Sequence, residues 1–220
     1  MAEIRVYNRK QMKTKRDVNS SVVVDMIELS RILAEFGQIK RVTLMPNGDF
    51  ETDSHHSFSL ALVAYELASE YASELNLEKI LLYSLVHDLV ELINGDMQTL
   101  TASTEDLENK AKQDAVDLLE VKQRLKMAPR IIEALEKYEA KEDDEALFVY
   151  WLDKVVTIPT HFYDQGANLK ALGVNNQQDI REWYKRTLAK LSKQSNSPHP
   201  SVAKVLELAY QKMHDELLEP

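Results

Sequence analysis

The 220-residue sequence contains no cysteine and only 5 glycines and 6 prolines. Without cysteine there is no disulfide framework, no thiolate metal site and no cysteine nucleophile, so a metal would need His, Asp, Glu or backbone oxygen ligands. So few glycines and prolines leave too little turn-forming capacity for many short strands joined by tight loops. The composition therefore predicts an all-α protein.

Long apolar runs and an excess of positive charge are also missing. No segment has the roughly 18 uninterrupted apolar residues of a membrane-spanning helix, and the first residues lack the apolar stretch of a signal peptide, so we expect a cytoplasmic protein without a membrane partner. The formal net charge is −9, from 27 basic and 36 acidic residues. That charge repels a phosphate backbone, so we expect no nucleic acid polymer as partner. A small-molecule nucleotide remains possible because one arginine or metal ion can override the global charge locally.

Apolar periodicity divides the chain into a polar arm and a helical domain. Residues 1–19 carry a basic run without core periodicity, which indicates a loosely attached, flexible arm. Residues 20–220 are predicted to form one domain. The polar stretch 40–53 contains a turn signal and is predicted to be a hairpin or an active-site loop. The predicted helices cover 20–36, 54–75, 78–94, 105–124, 128–140, 142–165, 177–194 and 199–218.

The predicted helix 78–94 carries the clearest chemical signal. It is apolar nearly all round, which is typical of a central, buried helix. An unpaired carboxylate in such a place costs about 2 kcal/mol or more, so polar residues there need a cation or a water-filled cleft. A polar stripe nevertheless follows one side of the helix, at i, i+3, i+4 and i+7: Ser84, His87, Asp88 and Glu91.

Two more polar residues are predicted to approach this stripe. His56 lies in the first turn of the predicted helix 54–75, which must pack antiparallel to the next helix because the connection is very short. Asp153 lies in an otherwise apolar helix. Two imidazoles and two carboxylates suit a divalent ion such as Mn²⁺, Fe²⁺, Co²⁺, Ni²⁺ or Zn²⁺, with Mg²⁺ as a further option. Such an ion supplies hydroxide near neutral pH, so the sequence predicts a hydrolase.

These four residues resemble the ligand set of the HD-domain metal-dependent phosphohydrolases. The ligands of that family follow the order His, then His-Asp, then Asp, and the matching residues here are His56, His87, Asp88 and Asp153. The resemblance implies an HD-domain helical bundle with additional C-terminal helices. It places the functional motifs within residues 41–157.

The finer likeness is to the bacterial 5′-deoxynucleotidase-like branch of the family. Residues 51–57 (Glu-Thr-Asp-Ser-His-His-Ser) resemble its Glu-x-x-x-Glu-His-Ser segment. Residues 87–99 match its His-Asp-x-x-Glu-x-x-x-Gly-Asp-x-x-Thr signature, and Arg41 occupies the place of its phosphate-contacting arginine. Val42 stands where the deoxynucleotidases carry a substrate-pocket tryptophan, so the selectivity for sugar and base stays open.

The resemblance implies roles for four residues beyond the ligands. Glu91 would orient or deprotonate the attacking water, and Asp96 would assist the attack or protonate the leaving 5′-oxygen. Arg41 and Thr99 would contact the substrate. Structural alternatives remain: Glu91 as a partner of a helix neighbour, Asp96 and Thr99 as caps, and Arg41 as a solvated side chain. Lys154 and His161 are assigned to structure or surface.

The implied activity is hydrolysis of a nucleoside 5′-monophosphate to a nucleoside and phosphate. One alternative is a nucleoside triphosphohydrolase that releases tripolyphosphate, an activity of other members of the superfamily. Another is a non-catalytic sensor that binds a nucleotide or a metal. The resemblance also implies a homodimer, for which the C-terminal helices offer apolar faces.

Overall fold

The computed structural model describes residues 19–97, 104–194 and 198–217, and these are helical apart from one β-hairpin. The helical class is therefore confirmed. The hairpin consists of β1 (Lys40–Leu44) and β2 (Phe50–Thr52), and a 3-10 helix covers Pro159–Phe162. The ten α-helices in these ranges are α1 (Ser20–Phe36), α2 (Asp53–Tyr71), α3 (Leu77–Val86), α4 (Glu91–Asn94), α5 (Thr104–Arg124), α6 (Pro129–Ala140), α7 (Asp144–Val156), α8 (Ala167–Ala171), α9 (Gln177–Gln194) and α10 (Pro200–Glu216).

Helices α2 and α3 form the centre of the core, and α7 packs against both. The buried face of α2 includes three alanines, Ala61, Ala64 and Ala68, which allow close approach of the neighbouring helices. His56 in the first turn of α2 lies beside His87 after the end of α3, with ring centroids 5.2 Å apart. The two helices are thus antiparallel, as their short connection predicts.

Side-chain caps decide where the central helices begin. Asn76 accepts two backbone hydrogen bonds at the start of α3, and Asp143 accepts one from Ala146 at the start of α7. A cap of this kind stabilises a helix by about 1 kcal/mol. Asp143 also accepts hydrogen bonds from Lys79 Nζ and the Tyr83 hydroxyl, both at 2.9 Å. The start of α7 is therefore fastened to α3.

The prediction of one continuous helix over 78–94 was wrong. Helix α3 ends at Val86, a turn covers 87–90, and α4 begins at Glu91. Backbone hydrogen bonds here join residues three apart, including Glu91 N to Asp88 O at 2.9 Å and Leu89 N to Val86 O at 3.0 Å. The backbone is therefore wound more tightly than an α-helix between His87 and Glu91, along the second half of the polar stripe.

The prediction of a helix over 142–165 was also too long. Helix α7 ends at Val156, and a 3-10 helix follows from Pro159. Proline has no backbone N–H to donate, so it interrupts the hydrogen bonding of an α-helix. The short helix α8, which lies beyond it, was not predicted.

The polar stretch 40–53 is a hairpin rather than an open loop. Its strands are antiparallel, and Gly48 in the turn has a φ of +84°, which favours glycine. The last strand residue, Thr52, caps α2. Asn168 in α8 donates a hydrogen bond to the backbone oxygen of Val42 at 2.8 Å, so the hairpin is anchored to the C-terminal part of the domain.

Most of the predicted N-terminal arm, 1–19, lies outside the described residues, and so does Thr99. In the part of the chain that is described, every helix is too short or too polar to cross a membrane. Helices α9 and α10 pack on each other, and α10 also packs on α7.

Candidate metal centre

His87 lies at the centre of the site, directly after α3. Its Nδ1 is 2.9 Å from the backbone oxygen of Ser84, to which it donates, so that the lone pair of the neutral ring is on Nε2. The buried Nε2 has no hydrogen bond, although Asp88 Oδ2 lies 2.9 Å away and Asp153 Oδ1 lies 3.8 Å away. Burial lowers the pKa of His87, but Asp88 and Asp153 outweigh burial and raise it above its ordinary value. The two carboxylates therefore favour a positive charge next to His87 Nε2.

His56 and Asp153 approach the same point from α2 and α7. His56 Nε2 lies 2.7 Å from Asp153 Oδ1, and both side chains are buried. The possible ligand atoms of His56, His87 and Asp88 all lie within 4.8 Å of one another. The structure thus brings together the four residues that the sequence predicts as ligands.

The donor set fits a divalent cation. Two imidazoles and two carboxylates are typical ligands of first-row transition metals, and they leave coordination positions for water or substrate. The buried His87 Nε2 faces Asp88 Oδ2 at 2.9 Å without a hydrogen bond, and this unsatisfied atom favours an ion over a plain hydrogen-bonded network. The ring of the buried Tyr138 lies edge-on to His87, with ring centroids 6.0 Å apart.

Arg41 reaches the site from β1 and is mostly buried rather than solvated. Its Nη1 donates to Asp88 Oδ2 at 2.9 Å and to Asp53 Oδ1 at 3.2 Å. Its Nε lies 3.4 Å from Glu51 Oε2. Burial opposes the charge of the guanidinium, but Asp88 and the surrounding carboxylates outweigh burial and raise its pKa. The hairpin therefore places a permanent cation in contact with a predicted ligand.

Glu91 and Asp96 are placed by the tight turn and by the end of α4. Glu91 is buried, and its Oε1 accepts a hydrogen bond from Lys110 Nζ at 2.8 Å. Burial raises the pKa of Glu91 to about 8, against the opposing effect of Lys110. Asp96 follows Gly95, whose φ of +76° turns the chain away from α4. Burial also raises the pKa of Asp96, and the positive charge of Arg41 opposes this.

Several charged residues around the predicted ligands were not predicted from the sequence. Lys154 pairs with Asp153 Oδ2, so its assignment to structure or surface overlooked a contact with a predicted ligand. The only sequence signal for this contact was its position next to Asp153. No sequence signal distinguished Lys110, because α5 is a highly charged amphipathic helix with two other lysines. Asp53 is fully buried, and burial raises its pKa to about 7.

Known proteins resemble this chain in both sequence and fold. The family model described as HD domain matches residues 35–195, which is more than half of the chain. The 5′-deoxynucleotidases YfbR of Salmonella newport (strain SL254) and Salmonella heidelberg (strain SL476) are each 37% identical over 71 residues, 30% of this chain and 36% of their own length. The match thus spans little more than a third of these relatives.

A solved structure shows the same fold over nearly the whole chain. It is a predicted metal-dependent phosphohydrolase from Magnetospirillum magnetotacticum MS-1, with a TM-score of 0.63 and 21% identity, and the match covers 91% of this chain and 97% of that one. At this identity the likeness concerns the fold. The family match over residues 35–195 shows that the chain belongs to the HD-domain family.

Proposed function

We propose that this HD-domain phosphohydrolase cleaves nucleoside 5′-monophosphates into a nucleoside and phosphate. One observation carries the proposal: Arg41 Nη1 contacts Asp88 Oδ2, the carboxylate that lies 2.9 Å from His87 Nε2. A cation that can neutralise a phosphate therefore lies directly beside the predicted ion site. Guanidinium groups suit phosphate because they can donate two parallel hydrogen bonds.

The chain's own residues supply binding and proton transfer in this proposal. His56, His87, Asp88 and Asp153 would hold the ion, which would supply polarisation of the phosphate and a lowered pKa of bound water. Arg41 balances the negative charge of the phosphate. Lys154 adds a second cation on the Asp153 side of the site.

Two buried carboxyl groups have the properties that proton transfer in this reaction requires. Glu91, whose side chain pairs with Lys110 in the ionised form, accepts the proton that the attacking water loses. Asp96, whose pKa is raised by burial, is the group we propose to protonate the 5′-oxygen of the departing nucleoside. One proton leaves the water and one reaches the leaving group, so the products are the free nucleoside and orthophosphate.

The test is a phosphate-release screen over nucleoside mono-, di- and triphosphates with Mn²⁺, Co²⁺, Zn²⁺, Ni²⁺ and Mg²⁺. We expect orthophosphate from 5′-monophosphates and no release without a divalent ion. Tripolyphosphate from triphosphates would instead identify a triphosphohydrolase. Saturable nucleotide binding without any phosphate release would identify a sensor.

We also propose that the chain forms a homodimer. Support comes from α1, where Val24, Met26 and Ile27 are exposed at 64%, 63% and 65%. Neighbouring exposed apolar side chains of this size are common at protein interfaces. Sedimentation analysis of the wild type and Ile27→Lys tests this: we expect a dimer that the substitution weakens, and a monomeric wild type would contradict the proposal.

A further inference from the structure

We infer that Lys110 is a positioning residue for the proposed reaction, because it holds the carboxylate of Glu91 in place beside the ion site. This inference rests on the proposed function, in which Glu91 accepts the proton of the attacking water. Three features of α3, α4 and α5 carry it: the tight turn after α3, the short length of α4, and a polar stripe on α5.

The tight turn puts Glu91 on the same side as Asp88. In a segment whose hydrogen bonds join residues three apart, side chains at i and i+3 lie almost directly above one another. Asp88 and Glu91 are three residues apart and are joined by such a bond, from Glu91 N to Asp88 O at 2.9 Å. The carboxylate of Glu91 therefore projects in the direction of the ligand carboxylate.

Helix α4 cannot hold Glu91 in place by itself. It has four residues, and its first turn has no side-chain cap. A single helical turn is unstable on its own because its nucleation cost is not repaid by further hydrogen bonds. The orientation of Glu91 must therefore be maintained by contacts from outside α4.

A polar stripe on α5 provides these contacts at both ends of α4. At one end, Lys110 Nζ donates to Glu91 Oε1 at 2.8 Å and to Asp114 Oδ1 at 3.1 Å. At the other end, Asn94 Nδ2 donates to the buried Asp117 Oδ2 at 2.7 Å. Positions 110, 114 and 117 lie on one face of α5. Lys110 is thus held between a carboxylate of its own helix and the carboxylate of Glu91.

Lys110 occupies one of the two side-chain oxygens of Glu91. Among the described residues, Lys110 is the hydrogen-bond donor to the Glu91 side chain, and it contacts Oε1. Without Lys110, a buried carboxylate loses that partner and its side-chain rotamer is no longer set. A small displacement of a catalytic group can cost about 100-fold in rate even when every ligand of the ion stays in place.

The experiment compares Lys110→Met and Lys110→Arg with Lys112→Met, a matched control at an exposed lysine of the same helix. The measurements are kcat and KM for phosphate release from the best monophosphate, and the Kd for Mn²⁺ by electron paramagnetic resonance. We expect Lys110→Met to lower kcat by about 10- to 100-fold and to leave KM and the Mn²⁺ Kd within about twofold. Lys110→Arg should recover most of the rate, and Lys112→Met should behave as the wild type.

A double-mutant cycle with Glu91→Gln tests whether Lys110 acts through Glu91. If it does, Lys110→Met causes no further loss of kcat in the Glu91→Gln background. An equal loss in both backgrounds would overturn the inference, and so would a Mn²⁺ affinity that falls in step with kcat. If Lys110→Met does not fold, Asp114→Asn is the second variant, with an expected kcat loss of about 3- to 10-fold in the same pattern.

A crystal structure of Lys110→Met with Mn²⁺ gives a readout that does not depend on turnover. We expect the Glu91 carboxylate to be displaced while His56, His87, Asp88 and Asp153 keep their positions. A Glu91 carboxylate that stays in place overturns the inference even if the wild type hydrolyses no monophosphate. The absence of wild-type phosphate release would by itself contradict only the proposed function.

Discussion

His87 in the metal centre and His161 in the C-terminal part of the core are both buried histidines, but their surroundings differ in charge. His87 faces Asp88 and Asp153, which raise its pKa. His161 packs edge-on against Trp183, with ring centroids 5.7 Å apart, and burial lowers its pKa to about 4. Burial thus outweighs the charge of the nearby Asp164 and produces a neutral core histidine. The acidic neighbours distinguish a histidine that is suited to a cation site.

The two regions also differ in how well their polar atoms are satisfied. Near Trp183, the hydroxyl of the buried Tyr210 lies 3.1 Å from Thr187 Oγ1, within hydrogen-bond distance. In the part of the chain that the structure describes, all the buried side-chain atoms without a hydrogen bond belong to residues in the metal centre or next to a ligand: Arg41 Nε, Asp53 Oδ2, Ser57 Oγ, Ser84 Oγ and His87 Nε2. Unsatisfied buried groups are costly, so their concentration at one point indicates a functional site.

The largest expected effect comes from removing the charge of one ligand. Asp88→Asn keeps the shape of the side chain but halves the ligand carboxylate charge, so we expect Mn²⁺ affinity to fall by at least about 100-fold and kcat/KM by at least about 1,000-fold. Calorimetric Mn²⁺ titration and phosphate-release assays measure the two losses. The control is Asp25→Asn, at an exposed carboxylate of α1. Unchanged Mn²⁺ binding in Asp88→Asn would show that Asp88 is not a ligand, and the contrast between His87 and His161 would then not indicate a metal site.

A smaller effect is expected when the proton acceptor is changed and the ligands are kept. Glu91→Gln can still accept the hydrogen bond from Lys110 but cannot take a proton, so kcat should fall by about 100-fold or more. Mn²⁺ binding should stay within about twofold of wild type. An unchanged kcat would show that Glu91 is structural, like the polar groups around Tyr210.

Substitution of Arg41 should act mainly on phosphate binding. We expect Arg41→Met to raise KM for a monophosphate by about 10- to 100-fold and to weaken inhibition by orthophosphate to a similar extent. Arg41→Lys keeps the charge but loses the paired donors, so it should recover only part of the affinity. If orthophosphate inhibited Arg41→Met as strongly as the wild type, the phosphate would not bind at Arg41.

The smallest effect on activity is expected at His161, where the consequence is a pH-dependent stability instead. Its pKa is about 4 in the fold against an ordinary 6.5, so the unfolded chain binds the proton first as the pH falls. The contribution of neutral His161 to the free energy of unfolding is complete above pH 6.5 and is lost as the pH falls towards 4. The loss is about 1.4 kcal/mol per pH unit, or about 3 kcal/mol in total. Urea unfolding of the wild type and His161→Phe should show this difference in acid sensitivity, with equal phosphate release at pH 7. If the free energy of unfolding changed with pH in the same way in the wild type and in His161→Phe, the prediction would be contradicted.

Much of the fold follows from local patterns in the sequence. The start of α1 and the bounds of α9 agree with prediction, because apolar periodicity and capping residues act within a few positions of the chain. The helix over 78–94 was too long because its apolar pattern continues through the point where the backbone tightens. Nothing in the sequence marks that change, since it depends on what the side chains of the stripe contact.

The sequence by itself determined the types of the predicted ligands and their order along the chain. A buried carboxylate or imidazole needs a partner wherever the chain goes, and that requirement is readable from residue type and helical spacing alone. Only the tertiary structure decided which charges meet. Arg41 reaches Asp88, Lys110 reaches Glu91 and Lys154 reaches Asp153. The first two of these contacts join residues that are 47 and 19 positions apart in the chain. They form because the hairpin and α5 pack beside the tight turn, and no local sequence pattern specifies that packing.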